Sequence, residues 1–271
     1  MAQAYLEELG RVRARREERI DRRALAVFSL TSAVVLSVYV TIAAFAIGVP
    51  QLNSSFIVLV VLFLLWVQLG SEYREGHGAY GSPLSRSRSV SIGFAAVLIV
   101  VVLASFFISA IGVEPPVLAR LIPGLLTLFI IGIPAAREIR QSQRSHAVAD
   151  PRRLKGSERW ATIGIGAVMA ASVWVLAVGG MFLVPSFAMA VLVIYLAWWV
   201  VGRISERLPA PGAVWAWPQW SAFAISGAAV AAVIIAQLLE PPASLSALAP
   251  VIAVFTLGLF VGSAFLDGRD G

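Results

Sequence analysis

The sequence contains no cysteine. That excludes disulfides, thiolate nucleophiles and cysteine-ligated clusters, and it leaves the redox compartment unread. Histidine is almost as scarce, with only His77 and His146, both in polar segments between apolar runs. His77 sits in Gly76-His77-Gly78 without a second ligand at metal spacing. A buried haem needs axial ligands from the core, so no membrane haem is expected. Lysine occurs once, at Lys155 in a polar segment, so there is no site for a retinal Schiff base. No apolar run carries Asp, Glu, Lys or Arg at its centre. Such residues are costly in lipid and usually mark ion pathways or proton relays. No serine in an apolar run has a histidine partner, and no Gly-rich lysine loop of the Walker type is present. Catalytic residues, metals and cofactors are therefore not expected. The remaining enzymatic reading is a lipid-directed site built from His77, Glu72 or Asp150. Nothing groups these three at catalytic spacing.

Charge is the other shortage. Only 13% of the residues are charged, whereas 59% are hydrophobic. A soluble domain carries roughly 25% charged residues. A chain this apolar needs lipid around it. The net charge of +6 is scattered in short segments between long apolar runs. Its expected partner is the anionic lipid of a cytoplasmic membrane face, not nucleic acid. The abundance of Arg over Lys, with much Ala and Val, reads as GC-rich bacterial coding. The expected location is the bacterial inner membrane. Residues 1–23 are too polar, and the run after them too long, for a cleavable signal peptide.

What is present is length. Crossing about 30 Å of hydrocarbon takes roughly 20 helical residues. The apolar stretches are 24–48, 53–71, 90–112, 117–136, 160–183, 186–203, 219–239 and 246–266. The fifth and sixth form one block that is divided here at Pro185. The expected fold class is all-α, a polytopic helical membrane protein. Its expected form is about eight transmembrane helices in four hairpins, with both termini cytoplasmic. The segments are a basic amphipathic helix at 1–23, a four-helix half at 24–136, a basic linker at 137–159 and a second half at 160–271.

Two asymmetries carry the orientation. The basic residues lie in 1–23, 72–89, 137–159, 203–218 and the C-terminal tail, and only Arg120 lies elsewhere. The positive-inside rule makes that side cytoplasmic. Trp66, Trp160, Trp198, Trp199, Trp215, Trp217 and Trp220 fall near the same side and read as an inner aromatic belt. The second and sixth helices, rich in Leu, Val, Phe and Trp, read as lipid-facing.

Three further patterns matter. Glu114-Pro115-Pro116 and Glu240-Pro241-Pro242 precede the fourth and eighth helices, and Phe129 and Gly132 follow at the offsets of Phe255 and Gly258. This is a faint sign of duplicated halves, which with four helices each would be parallel repeats. Arg120 is placed to pair with Glu114 or Glu240 at the outer face. Small residues recur at four-residue spacing: Gly166 with Ala170, the ridge Ala224, Ala228 and Ala232 with Gly227 and Ala231 alongside, and Gly258 with Gly262. Such ridges let helix backbones approach where lipid supplies no hydrophobic drive.

The functional expectation is an auxiliary or scaffolding subunit of a membrane complex, bound to lipid and to a membrane or cytoplasmic protein. The alternative is a transporter subunit energised by a separate cytoplasmic ATPase.

Overall fold

In hydrocarbon every backbone N–H and C=O must be satisfied within the protein, and a helix does this by itself. The computed structural model describes residues 22–46, 53–77, 116–141, 154–180, 182–204, 209–239 and 242–266. Their regular structure is helical throughout. The long helices are α1 (Arg22–Ala46), α2 (Asn53–Gly76), α3 (Val117–Gln141), α4 (Gly156–Val178) and α5 (Leu183–Ile204). The short α6 (Pro211–Val214) follows, then α7 (Trp217–Leu239) and α8 (Pro242–Phe265). Among the described residues there is no strand, and seven helices are long and apolar enough to cross a membrane. The N-terminal amphipathic segment, the apolar run 90–112 and the middle of the basic linker lie outside the described residues.

Two boundaries differ from expectation. The long apolar block breaks at Gly179-Gly180, where the Gly179 N–H closes the last turn on the Val175 carbonyl at 2.7 Å. Pro185 instead lies in the first turn of α5, where its missing N–H costs no helical bond. The second difference is at the polar ends. α2 runs on to Gly76, α3 to Gln141, and α4 starts at Gly156. Glu72 and Arg137 therefore stand on helices, not loops. Backbone bonding carries a helix past its apolar stretch when Glu, Gln and Arg, all good helix formers, follow.

Contacts give the directions. α2 runs antiparallel to α1, because Trp66 bonds Ser32 while Phe28 stacks on Tyr73. α3 is also antiparallel to α1. The Ser37 hydroxyl donates to the Gly124 carbonyl at 2.8 Å, and Gly132 faces Ala33 and Leu30. α2 and α3 are thus parallel to each other. Among the described helices the most extensive pairings are α1 with α3 and α4 with α8. Each has a glycine at its contact. A Cβ on Gly124 would lie 1.9 Å from the Thr41 hydroxyl, and one on Gly166 would lie 2.3 Å from the Phe260 Cβ.

One apolar core draws on α1, α2, α4, α5, α7 and α8. It corrects the lipid-facing reading of the second helix. Val58, Leu62, Leu65, Trp66 and Leu69 of α2 are buried, because α2 is packed by α1, α5 and α6. α5 fits the expectation, with Val193, Ile194, Val200 and Val201 exposed. The aromatic belt divides. Trp160 and Trp217 are 74% and 71% exposed, as interfacial indoles should be, but Trp66, Trp215 and Trp220 are buried. These three join Phe28, Tyr73, Phe223 and Phe260 in an aromatic cluster with neighbouring centroids 4.5 to 6.4 Å apart. Each such pair contributes about 0.5–1.5 kcal/mol beyond area burial. Indole near the headgroups satisfies belt and core alike in sequence, and only packing separates them.

Candidate functional site

Glu72, Gln68, Trp215, Thr162 and Gln219 gather at the end where α2 finishes and α4 begins. Pro211 starts α6 with the φ a helix needs. Its N-cap, Ala210, has no side-chain acceptor to offer. Glu72 of α2 supplies one. Its Oε2 accepts the Gly212 N–H at 2.9 Å, and its Oε1 accepts the Gln68 Nε2–H at 3.0 Å. Glu72 is only 7% exposed. A cap of this kind contributes roughly 1 kcal/mol.

Glycine makes the approach possible. A Cβ on Gly212 would sit 2.3 Å from the Leu69 carbonyl oxygen, and one on Gly76 would sit 2.2 Å from the Ala213 carbonyl oxygen. Two reciprocal backbone contacts thus hold α6 on the last turns of α2. The chain beyond α6 is tied down as well. The Trp215 Nε1–H donates to the Thr162 hydroxyl of α4 at 2.9 Å. Gln219 accepts from the Ala216 N–H and donates to the Ser263 carbonyl of α8. Residues 210–219 therefore latch α2, α4, α7 and α8 together. At the opposite end of α7, Gln237 does similar work. It donates to the Leu176 carbonyl of α4 and accepts from Ser55 of α2.

Beside the latch is a narrow cleft between α2 and α5. Leu65, Gln68, Leu69 and Glu72 form one wall, Tyr195, Trp198 and Trp199 the other, with Ile165 at the back. Its room for a water-sized guest is about 10 Å³, at the lower bound for seating one water. The Tyr195 hydroxyl donates to the Leu64 carbonyl at 3.3 Å. Among the described residues no group of three or more His, Asp or Glu side chains could hold a metal. His77 is not in the cleft. Its ring lies on Tyr73, with Nδ1 2.9 Å from the Tyr73 carbonyl.

The packing residues read from sequence fall on different faces. Gly166 is buried against Phe260, and Ala170 is buried beside it on α4. On α7, Ala224 is half-buried and Ala228 and Ala232 are exposed. The inward ridge is Gly227 and Ala231, with Gly227 against the Tyr39 hydroxyl. The large residues Phe223, Val230 and Ile234 fix that rotation by taking the core positions. On α8, Phe260 points to α4, which turns Gly258 and Gly262 outward with nothing within 4 Å of a Cβ at either. Arg120 lies over the Phe45 ring at 5.8 Å. Its expected partners Glu114 and Glu240 lie outside the described residues.

Sequence reasoning missed Glu72, Gly76, Gly212, Gln219 and Gln237 as a set. The one available signal was Pro211-Gly212 preceded by Ala210, a helix start without its own cap. No protein family, curated protein or solved structure matches the chain.

Proposed function

We propose that this chain is a non-catalytic scaffold subunit of a multi-pass membrane complex, with eight spans and the latch facing the cytoplasm. The observation carrying the role is how its polar groups are used. Glu72, Gln219, Gln237 and Trp215 all bond the bundle's own backbone or hydroxyls, while α5 and α8 turn apolar side chains outward. A scaffold needs polar groups that hold its own helices together and outward apolar faces for its partners. Affinity purification in mild detergent tests the role. Stoichiometric membrane partners are expected. A chain that elutes alone rejects it.

The span count rests on direction. α2 ends at the latch end and the parallel α3 starts at the far end, and the eight-span reading assigns one further span to the chain between them. Residues 90–112 are the apolar run available for that passage. Parallel duplication of the halves is supported by matched pairings. The first and last helices of each half, α1 with α3 and α4 with α8, form the most extensive pairings among the described helices. α2 and α5, second in each half, pack on one another across the middle. A reporter fused after Asp267 is expected to read cytoplasmic. An external reading rejects the eight-span topology and leaves the scaffold role standing.

One observation favours the transporter alternative. The Tyr39 and Ser226 hydroxyls are buried in the bundle without a hydrogen-bond partner among the described residues. Orphaned buried polar groups ask for water or a passing polar ligand. A copurifying cytoplasmic ATPase would select this reading over the scaffold.

A further inference from the structure

Among the described residues no cation pairs with Glu72. Its two bonds come from uncharged donors, the Gly212 N–H and the Gln68 amide. A carboxylate offers about four acceptor positions, and the described residues take two of them. Removing a carboxylate from water without an opposite charge is expensive, and amide donors offset only part of that cost. The cleft that Glu72 lines has Tyr195, Trp198 and Trp199 as its facing wall. Aromatic faces attract cations, most strongly where water is excluded. Carboxylate and aromatic wall together specify a positively charged guest.

Size and location narrow that guest. The room is about 10 Å³ for a water-sized centre. A primary ammonium is about as large as a water, and a trimethylammonium is far larger. Leu196 and Val200, which flank the aromatic wall on α5, are exposed apolar residues on a membrane-facing helix. A guest therefore arrives from the bilayer, not from a polar channel. Gly76, one turn beyond Glu72, ends α2, and the inference rests on the proposed topology, which puts that helix end at headgroup depth. We propose that the Glu72 cleft seats the primary ammonium of an aminophospholipid headgroup. Glu72 provides the charge, and Trp198 and Trp199 wall the site and exclude the N-methylated headgroup.

The test uses the full chain in nanodiscs of phosphatidylethanolamine or of phosphatidylcholine with identical acyl chains. Lipid retained after mild detergent exchange is measured by native mass spectrometry, and melting is followed in parallel. Wild type is expected to retain the primary amine lipid about fivefold over the trimethylated one, the scale of one N–H hydrogen bond to the carboxylate that a trimethylammonium cannot donate. Glu72→Gln keeps an acceptor for the Gly212 N–H and removes the charge, so retention should become equal. If Glu72→Gln melts early in phosphatidylcholine as well, Trp199→Leu at the exposed lip carries the comparison, and the preference should fall at least twofold. Equal retention by wild type overturns the proposal. So does a preference that survives both substitutions. Soluble ethanolamine that stabilises the chain when the lipid does not would overturn the lipid as source. Resistance to alkaline carbonate extraction reports membrane insertion independently, so failure of that reading is distinguishable.

Discussion

Replacing Gly166 with leucine should separate α4 from α8, whereas the same change at Gly258 should leave the isolated chain as stable as before. The contrast follows from what each glycine faces. A Cβ at Gly166 would meet the Phe260 Cβ at 2.3 Å and its ring at 2.6 Å. The Cβ belongs to the stem of Phe260, so no rotation of the ring relieves the contact. Phe260 is itself fully buried and meets Trp215 and Phe223 edge to face or tilted, so it has nowhere to go. Relief requires the two helices to move apart along one of the most extensive interfaces among the described helices. Overpacking of this kind costs about 1–3 kcal/mol or more. Gly258 has nothing within 4 Å, so leucine there should change stability by less than about 0.5 kcal/mol. Thermal unfolding of both variants in one mild detergent checks this. Equal losses would mean that the outer face of α8 is packed within the chain. A loss at Gly258 that appears only in a copurified complex would identify that face as a partner contact.

The pair also marks how far the sequence could be read. Gly166-x-x-x-Ala170 and Gly258-x-x-x-Gly262 are the same pattern, and one faces in while the other faces out. A four-residue repeat fixes a face of a helix but not the direction that face looks. In a soluble protein the polar side would decide, but a helix in lipid is apolar all round and loses that reference. Large buried residues decide instead. Phe260 rotates α8, and Phe223 with Ile234 rotates α7, so its inward ridge is Gly227 and Ala231. The seven described spans were legible because length against bilayer thickness is a strong constraint. The turn at Gly179-Gly180 was harder, since Pro185 is the louder signal and is tolerated in a first helical turn. Glu72 was hidden for a related reason. It lies just past the apolar run, where polarity signals a loop. Its role depends on Gly212, 140 residues away along the chain.

The second large effect is expected at that latch. Gly212→Ala and Gly76→Ala should each dislodge α6 from α2. The Cβ atoms they introduce would face the carbonyl oxygens of Leu69 and Ala213 at 2.3 and 2.2 Å. These are backbone atoms of helices, so no rotamer change relieves the clash. Lifting α6 by about 1 Å would also stretch the bond from Gly212 to Glu72, and an unsatisfied buried carboxylate is worse than a lost cap. The overpacking introduced and the cap lost together come to roughly 2–4 kcal/mol for either substitution. At this chain length that lowers the melting temperature by about 2–4 °C for each kcal/mol. The two substitutions act on one interface, so they should not add. Once the first has displaced α6, the second meets empty space, and the double variant should melt close to the worse single one. Trp215 reports the same event optically, because its indole N–H leaves Thr162 when the segment lifts. A double variant whose loss equals the sum of the singles would show two independent contacts, and the latch would then not be a single unit.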